Sequence, residues 1–117
     1  MRLHFTVAVV LSTFPADQDP APLARTLVEE RLVACVNILP AMRSIYRWEG
    51  KIEESTEHQL VMKTSLARVK PLKKRLVELH PYDVPEIVIL TGTAARAYAD
   101  WVDDVTTLVK GPRMRGR

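Results

Sequence analysis

The feature that most constrains the fold is a pair of long β-type runs joined by only two residues. The runs span Cys35 to Trp48 and Lys51 to Thr64, and Glu49-Gly50 links them. A two-residue link that contains glycine between two such runs is typical of a β-hairpin. Pro40 lies inside the first run and has no N–H to donate to a strand ladder, so it predicts a bulge or an edge there. The sequence therefore predicts one long hairpin in the middle of the chain.

The length of this hairpin predicts an assembly of several copies. Each arm has about 14 residues and would reach roughly 46 Å at about 3.3 Å per residue. A globular chain of 117 residues has a radius of gyration of about 13 Å, and so a diameter of roughly 35 Å. The hairpin must therefore project or bend, and a projecting hairpin exposes backbone edges that folded proteins cover or pair. We expect it to pack onto a neighbouring copy in a homo-oligomer.

Strands and helices are predicted on both sides of the hairpin. Leu3 to Ser12 is rich in β-forming residues, and Glu86 to Leu90 is a short apolar strand followed by a turn at Thr91-Gly92. Apolar residues that recur one turn apart predict three amphipathic helices. These helices run from about Pro20 to Leu32, from Leu66 to His80 and from Ala94 to Val109.

The order of elements is therefore β-α-β-β-α-β, followed by a terminal helix. This order is typical of a ferredoxin-like α+β fold, in which helices cover one face of a four-stranded antiparallel sheet. Neither an internal repeat nor an interdomain linker interrupts the sequence. We expect a single domain over residues 1–109 and a basic, flexible tail over residues 110–117.

The charge distribution argues against a nucleic-acid partner. The 17 Lys and Arg residues outnumber the 14 Asp and Glu residues, which gives a formal net charge of +3. Residues 1–109 are nevertheless close to neutral, because four basic residues lie in the tail: Lys110, Arg113, Arg115 and Arg117. The basic character therefore belongs to the tail, and the body of the protein lacks a basic surface of the kind that binds RNA or DNA.

The sequence also favours a cytoplasmic protein without a membrane partner. No apolar run approaches the roughly 20 residues that cross a bilayer. Leu3 to Ser12 is favoured as a strand over a secretory signal, because His4 and Thr6 interrupt the apolar run and Pro15 to Asp19 offers no cleavage site. A single cysteine, Cys35, gives no sign of an oxidising compartment.

Four motifs in a fixed order resemble those of a known family. They are LVEERLVACVNILP at 27–40, SIYRWEGKIE at 44–53, Lys63-Thr64, and LHPYDVPEI at 79–87. Together they closely resemble the CutA family, the divalent-cation tolerance proteins, over about Phe5 to Val105. The resemblance implies a ferredoxin-like homotrimer built by the long hairpins and similar in shape to the PII signalling trimers. It also implies a cytoplasmic bacterial protein linked to tolerance of divalent metals, including copper, with no settled catalytic activity.

The resemblance implies a candidate metal ligand, although most of the copper-binding set is absent. Copper-binding members similar to this chain use a Cys at the end of the first strand and a His-His pair ahead of Pro-Tyr. The matching positions hold Ser12, Leu79 and His80, so only His80 is kept. A thiolate and a second imidazole would be preferred copper ligands. His80 is therefore the candidate from this set for a divalent metal such as Cu(II), and the alternative is a histidine that caps carbonyls at the helix end or lies at an interface.

A second candidate site combines five residues of different chemistry: Trp48, Glu57, Lys63, Tyr82 and Glu86. Glu57 and Lys63 are an even number of positions apart on one strand, so their side chains share a face. Tyr82 and Glu86 come from the segment that enters the last strand. Near a subunit boundary these groups would form a polar pocket for a metal or a small anion. The alternative is a structural network of ion pairs and hydrogen bonds that locks the trimer.

No residue pattern indicates an enzyme. Acylphosphatases share this topology, but they need a glycine-rich phosphate loop with an Arg after the first strand, and Ser12 to Asp19 contains neither. Ser-His-Asp, HExxH and P-loop spacings are also absent. RNA-binding versions of the fold carry aromatic residues on the central strands, where this chain has Val88 and Ile89.

Cys35 is interpreted as a small buried hydrophobe next to a strand, with a metal or redox role as the alternative. The sequence thus predicts a non-enzymatic, CutA-like homotrimer that acts in tolerance of divalent metals, copper among them, by binding metal at intersubunit sites. The competing hypothesis is a PII-like regulatory trimer that binds a small anionic ligand or a protein partner and has no metal role.

Overall fold

A computed structural model describes residues 5–108 of the chain. This part contains five strands and three α-helices, and a single 3₁₀ turn over Leu66–Arg68 precedes the second helix. In chain order the elements are β1 (Thr6–Pro15), α1 (Ala21–Glu29), β2 (Cys35–Ile38), β3 (Met42–Trp48), β4 (Lys51–Thr64), α2 (Val69–Leu79), β5 (Val88–Thr93) and α3 (Arg96–Thr106).

All five strands form one antiparallel sheet of mixed α+β architecture. The strand order is β2-β4-β1-β5, and β3 pairs with β4 beyond the end of β2. The centre of the sheet is the β1–β4 ladder, whose register runs from Ala8 opposite Thr64 to Pro15 opposite Glu57. The predicted second strand is divided into β2 and β3, so the sheet has five strands in place of the four predicted. The order and pairing of the elements otherwise confirm the ferredoxin-like fold.

Residues 39–41 divide the first arm, around Pro40. The opposite arm, β4, continues without interruption for 14 residues. From Lys51 to Thr56, β4 pairs with β3 on one side and with no described strand on the other. This outer part of the hairpin, Met42–Trp48 with 51–56, is called the ribbon below. The molecule is accordingly elongated, with extents of 51 × 28 × 24 Å and a radius of gyration of 15.6 Å, which confirms a projecting hairpin.

The ribbon ends in a tight turn made by Glu49 and Gly50. Both residues have positive φ angles, 49° and 78° respectively. Two left-handed residues in a row make the turn whose twist matches that of the flanking strands. Glycine adopts this conformation without strain, whereas a glutamate is less favourable there.

Helices α1 and α2 cover one face of the sheet and form the main core. Their buried leucines, which recur about every 3.6 residues along each helix, pack against every second residue of the central strands β1 and β4. The fully buried members include Leu27, Leu60, Met62, Leu72 and Leu76. Burial of each such side chain stabilises the fold by about 1.5–3 kcal/mol.

Helix α3 packs on the opposite face, at one end of the sheet. Its residues Ala99 and Val102 are fully buried and contact Val7 and Ala34. Val7 and Val10, three positions apart on β1, point to opposite faces, which is why they belong to separate clusters. Helix α3 covers only this end of the second face. The candidate site lies on the same face, at its other end.

Helices α1 and α2 lie where the sequence predicts them, but each is up to three residues shorter at one end. Helix α1 begins after Asp19, whose Oδ1 accepts a hydrogen bond from the Ala21 N–H at 3.0 Å. It ends earlier than predicted because Arg31 takes a left-handed conformation with φ 58°. There the Leu32 N–H donates to the Leu27 carbonyl at 3.0 Å, which closes the last turn.

The predicted turn at Thr91-Gly92 is wrong, because both residues lie within β5. Gly92 is directly opposite Val7 in the β1–β5 ladder. Pairing with a central strand outweighs the local turn preference of glycine, and β5 is an edge strand in which glycine is tolerated. Strand β1 also extends three residues further than predicted, to Pro15.

The chain ends lie outside the described residues, which stop before Val109 and before the basic tail. The predicted single domain over 1–109, the tail over 110–117 and the C-terminal end of the last helix therefore stay predictions. In the part from 5 to 108, no helix has the length and apolar character that a membrane crossing requires.

The turn geometry predicts opposite effects for its two residues. Gly50→Ala should destabilise the protein by about 1 kcal/mol, since a Cβ meets no atom there but the left-handed backbone is strained. Glu49→Asn should stabilise it by about 0.5 kcal/mol, because asparagine tolerates this conformation better. Urea unfolding at fixed protein concentration measures both changes. Glu53→Asn, the same substitution at an extended position, is the control, and an equal gain there would contradict this account.

Candidate functional site

A cavity of about 780 Å³ lies between the ribbon and the segment that follows α2. We call it the hairpin cavity. Its walls come from the end of β1, from β3, from the middle of β4 and from residues 81–86. The lining residues are Thr13, Met42, Ser44, Ile45, Tyr46, Trp48, Glu57, Gln59, Pro81, Tyr82, Asp83, Val84, Pro85 and Glu86.

Strand register explains why most of these side chains converge. Met42 lies opposite Glu57 in the β3–β4 ladder, and Thr13 lies opposite Gln59 in the β1–β4 ladder. Residues two positions apart on a strand point to the same side, so Tyr46 and the other even-numbered residues of β3 share a face with Glu57 and Gln59. This face is the one that α1 and α2 leave uncovered.

His80 fixes the start of the segment that closes the cavity. Its backbone leaves the helix with φ −77° and ψ 139°, as expected for a residue before a proline. Its Nε2 donates to the Thr13 carbonyl at 2.6 Å, and its Nδ1 accepts from the Tyr82 N–H at 3.0 Å. This pattern requires a neutral ring with the proton on Nε2. The ring also packs edge-on against Phe14 at 5.5 Å between centroids.

Tyr82 and Glu57 make the central polar contact of the cavity. The Tyr82 hydroxyl donates to Glu57 Oε2 at 2.8 Å, and Glu57 is only 7% exposed. Burial of the phenol raises the pKa of Tyr82, and the hydrogen bond and negative charge of Glu57 raise it further. Within residues 5–108 no side-chain oxygen is both buried and without a partner. Glu57 Oε1, to which no described residue donates, is therefore not fully buried, and Glu57 lines the cavity.

Gln59 links the sheet to the last acidic residue of the lining. Its Nε2 donates to the Ser12 carbonyl at 2.6 Å and to Glu86 Oε2 at 3.0 Å. One amide therefore holds Glu86 beside the β4 face on which Glu57 lies. The Glu57–Tyr82 and Gln59–Glu86 contacts tie the 81–86 segment to the sheet at both of its ends.

The structure brings together four of the five residues of the predicted polar pocket. Trp48, Glu57, Tyr82 and Glu86 all line the hairpin cavity, whereas Lys63 does not. Lys63 shares the face with Glu57 but lies six positions along the strand, which is roughly 20 Å away. Its ammonium donates instead to Asn37 Oδ1. That the four residues bind a ligand remains a prediction.

Sequence reasoning missed several lining residues, of which Gln59 matters most. Its position two residues after Glu57 on the same strand places it on the same face, and this spacing was a usable signal. Its contact with Glu86 spans 27 positions along the chain and could not be derived from local pattern. Met42 and Thr13 were likewise placed by strand pairing rather than by any motif.

The residues present do not fit a copper site of the kind implied for the family. Ser12, which replaces the thiol, is fully buried, and its hydroxyl bonds to the Thr13 carbonyl at 3.5 Å. Both ring nitrogens of His80 are engaged, so the ring can bind a metal only if one of these bonds breaks. Residues 5–108 contain no group of three His, Cys, Asp or Glu side chains suited to a metal ion. His80 therefore stays an untested ligand.

Cys35 lies away from the hairpin cavity, at the start of β2. Its thiol is partly buried, and Sγ is 3.9 Å from the Tyr98 hydroxyl on α3. The thiol is less fully buried than the sequence predicted, and the interpretation of Cys35 as a small buried hydrophobe, with a metal or redox role as the alternative, stays a prediction.

The chain matches the family model described as CutA1 divalent ion tolerance protein over residues 8–105. The chain belongs to the CutA family. A curated relative, the divalent-cation tolerance protein CutA of Thermus thermophilus, is 48% identical over 84% of this chain and 96% of its own length. The chloroplastic protein CutA of Arabidopsis thaliana is 38% identical over 84% of this chain, which spans 54% of that longer relative.

Solved CutA structures share the fold of the chain. CutA1 from Ehrlichia chaffeensis superposes with a TM-score of 0.82 at 30% identity, covering 92% of this chain and all of the other. The PII-like protein CutA from Nostoc sp. PCC 7120 gives 0.80 at 38% identity over 87% and 99% of the two chains. A periplasmic divalent cation tolerance protein CutA from Archaeoglobus fulgidus gives 0.81 at 28% identity over 86% and 99%.

The Tyr82–Glu57 contact predicts late ionisation of one tyrosine. The absorbance difference between the wild-type chain and Tyr82→Phe should appear well above the usual tyrosine pKa of about 10, because burial and Glu57 disfavour the phenolate. The neutral phenol is favoured in the folded state, so its stabilising effect is full below pH 10 and is lost as the pH rises above it. Unfolding free energy should fall more steeply there in the wild type than in Tyr82→Phe.

Glu57→Gln supplies the matching test, since it removes the charge and keeps the shape of the side chain. In this variant the Tyr82 signal should move towards lower pH in a spectrophotometric titration. An unchanged titration would show that Glu57 does not act on Tyr82 in solution.

Proposed function

We propose that this CutA-family chain is a non-enzymatic, cytoplasmic, PII-like homotrimer that acts in the response to divalent cations by binding a small ligand in the hairpin cavity. The observation that carries the proposal is the convergence of Trp48, Glu57, Tyr82 and Glu86 on one cavity of about 780 Å³. That volume is typical of small-molecule sites. Relatives named for divalent-cation tolerance support the role in the response to divalent cations, and a neighbour named PII-like supports the PII-like assembly.

The exposed apolar surface supports the homotrimer. Ile45 and Ile52, on the ribbon, are 67% and 71% exposed. Val88 and Leu90 on the edge strand β5 are also exposed. A two-stranded ribbon with such side chains is marginal in water, and contiguous exposed apolar surface is typical of protein interfaces. Packing against other copies would cover it and place the hairpin cavity beside a subunit boundary.

Direct metal binding is the second candidate. The cavity offers carboxylate and phenol oxygens from Glu57, Glu86 and Tyr82, and oxygen ligands suit hard divalent cations better than copper. Since residues 5–108 of one chain hold no metal cluster, intersubunit metal binding needs ligands from a second copy. Copper specificity through His80 depends on breaking a bond that fixes the 81–86 segment.

A thermal-shift panel separates the two candidates. The panel contains Cu²⁺, Zn²⁺ and small metabolites grouped as amines, amino acids, nucleotides and sugars, tested on the full chain in its native assembly. Ligand binding in the cavity predicts that at least one organic class raises the melting temperature of the wild type. Glu57→Gln should abolish that rise, and Glu29→Gln, at an exposed glutamate on α1, should leave it unchanged.

Two results would contradict the proposal. If only metal ions raise the melting temperature, and His80→Gln abolishes the effect while His58→Gln does not, then metal binding through His80 is the function. If Glu57→Gln dissociates the assembly and no compound binds, then the polar residues form a structural network.

A further inference from the structure

The charge of the hairpin cavity is opposite to that of an anion site. Its lining includes three carboxylates, those of Glu57, Asp83 and Glu86, and no Lys, Arg or His. The strand cations Arg43, Arg47 and Lys51 belong to the ribbon but lie outside the lining. Lys63, one of the five residues of the predicted pocket, lies outside the lining and donates to Asn37. A small anion in this cavity would face like charges on several walls, which disfavours binding.

The position of Glu57 shows what the cavity lacks. A carboxylate that is 7% exposed is costly to bury without a cationic partner. Its described partner, the Tyr82 hydroxyl, is a neutral donor on Oε2. Oε1 is not fully buried on a residue that lines the cavity, because no described residue donates to it and no buried side-chain oxygen in residues 5–108 is unpartnered. A positively charged donor at this oxygen would complete the contacts of the carboxylate.

The rest of the lining suits an apolar body attached to that charge. Trp48 and Tyr46 are 47% and 42% exposed, and Met42, Ile45 and Val84 join them in the wall. Aromatic faces attract cations as well as apolar groups, and tryptophan does so most strongly. Carboxylates and exposed aromatic rings in one cavity therefore select for an organic cation over a bare metal ion or an anion.

We propose that the hairpin cavity binds a small organic cation, with its charged nitrogen at Glu57 and Glu86 and its apolar body against Trp48. This inference rests on the proposed function, because it names the chemical class of the ligand for the same cavity. It differs from the metal or small anion that the sequence predicted for this pocket.

Three probes of nearly equal shape test the sign of the charge. Benzamidine, benzamide and benzoate carry a positive, a zero and a negative charge on the same ring at neutral pH. They are titrated into the full chain in its native assembly, with calorimetry and tryptophan fluorescence as readouts. Benzamidine should bind tighter than benzamide by about tenfold or more, because it adds a charge-assisted hydrogen bond and a cation–π contact. Benzoate should bind most weakly.

Substitutions assign the effect to the cavity. Glu57→Gln should remove most of the preference for benzamidine over benzamide, whereas Glu29→Gln should keep it. Trp48→Phe should remove the fluorescence change, since the other tryptophan, Trp101, packs with Tyr98 on α3 outside the cavity. Sedimentation of each variant checks that the assembly is intact.

The outcomes separate this inference from the function on which it rests. Equal or tighter binding of benzamide or benzoate, lost in Glu57→Gln, would overturn the organic cation and keep ligand binding in the cavity. If none of the three probes binds while another compound class binds in a Glu57-dependent way, the inference fails alone. If nothing binds and Glu57→Gln alters the oligomer, a neighbouring copy fills the cavity and both proposals fail.

Discussion

The structure depends on one strand, β4, that extends beyond the neighbouring strands β1 and β2. Strand β4 has 14 residues, and only its second half lies between two neighbours. From Lys51 to Thr56 it pairs with β3 alone, so its other edge pairs with no described strand, and Ile45 and Ile52 of the ribbon stay exposed. Unpaired strand edges are covered in stable proteins. The same overhang supplies one wall of the hairpin cavity, so assembly and candidate function share a physical cause.

The other wall, the 81–86 segment, depends on short hydrogen bonds made by largely buried side chains. His80 ends α2, and its two nitrogens hold the chain between β1 and Tyr82. Tyr82 then reaches Glu57 across the cavity. These contacts explain why the histidine that resembles a metal ligand has a structural position in this chain. They also leave an acidic, aromatic cavity in which the Glu57 carboxylate has no cationic partner among residues 5–108, and this charge distinguishes the cavity from an anion site.

Local backbone chemistry was sufficient to predict much of this architecture. Glycine and proline mark the hairpin turn and the break at Pro40, and helical periodicity locates α1 and α2 to within a few residues. Long-range pairing decided the rest. Thr91-Gly92 lies in a strand because β1 pairs with it, and Lys63 lies outside the cavity because strand rise separates it from Glu57. The bond between Gln59 and Glu86 joins distant segments and needs the folded chain to be seen.

The central claim is that other copies of the chain cover the ribbon and complete the cavity. Sedimentation equilibrium of the full chain at micromolar concentration tests it most directly, with Ile45→Lys and Ile52→Lys as variants at the two most exposed apolar positions of the ribbon. The account predicts a wild-type mass three times that of the 13.3 kDa chain, and dissociation of the variants with their secondary structure kept. A wild-type mass of 13.3 kDa, with the ribbon still folded, would contradict it.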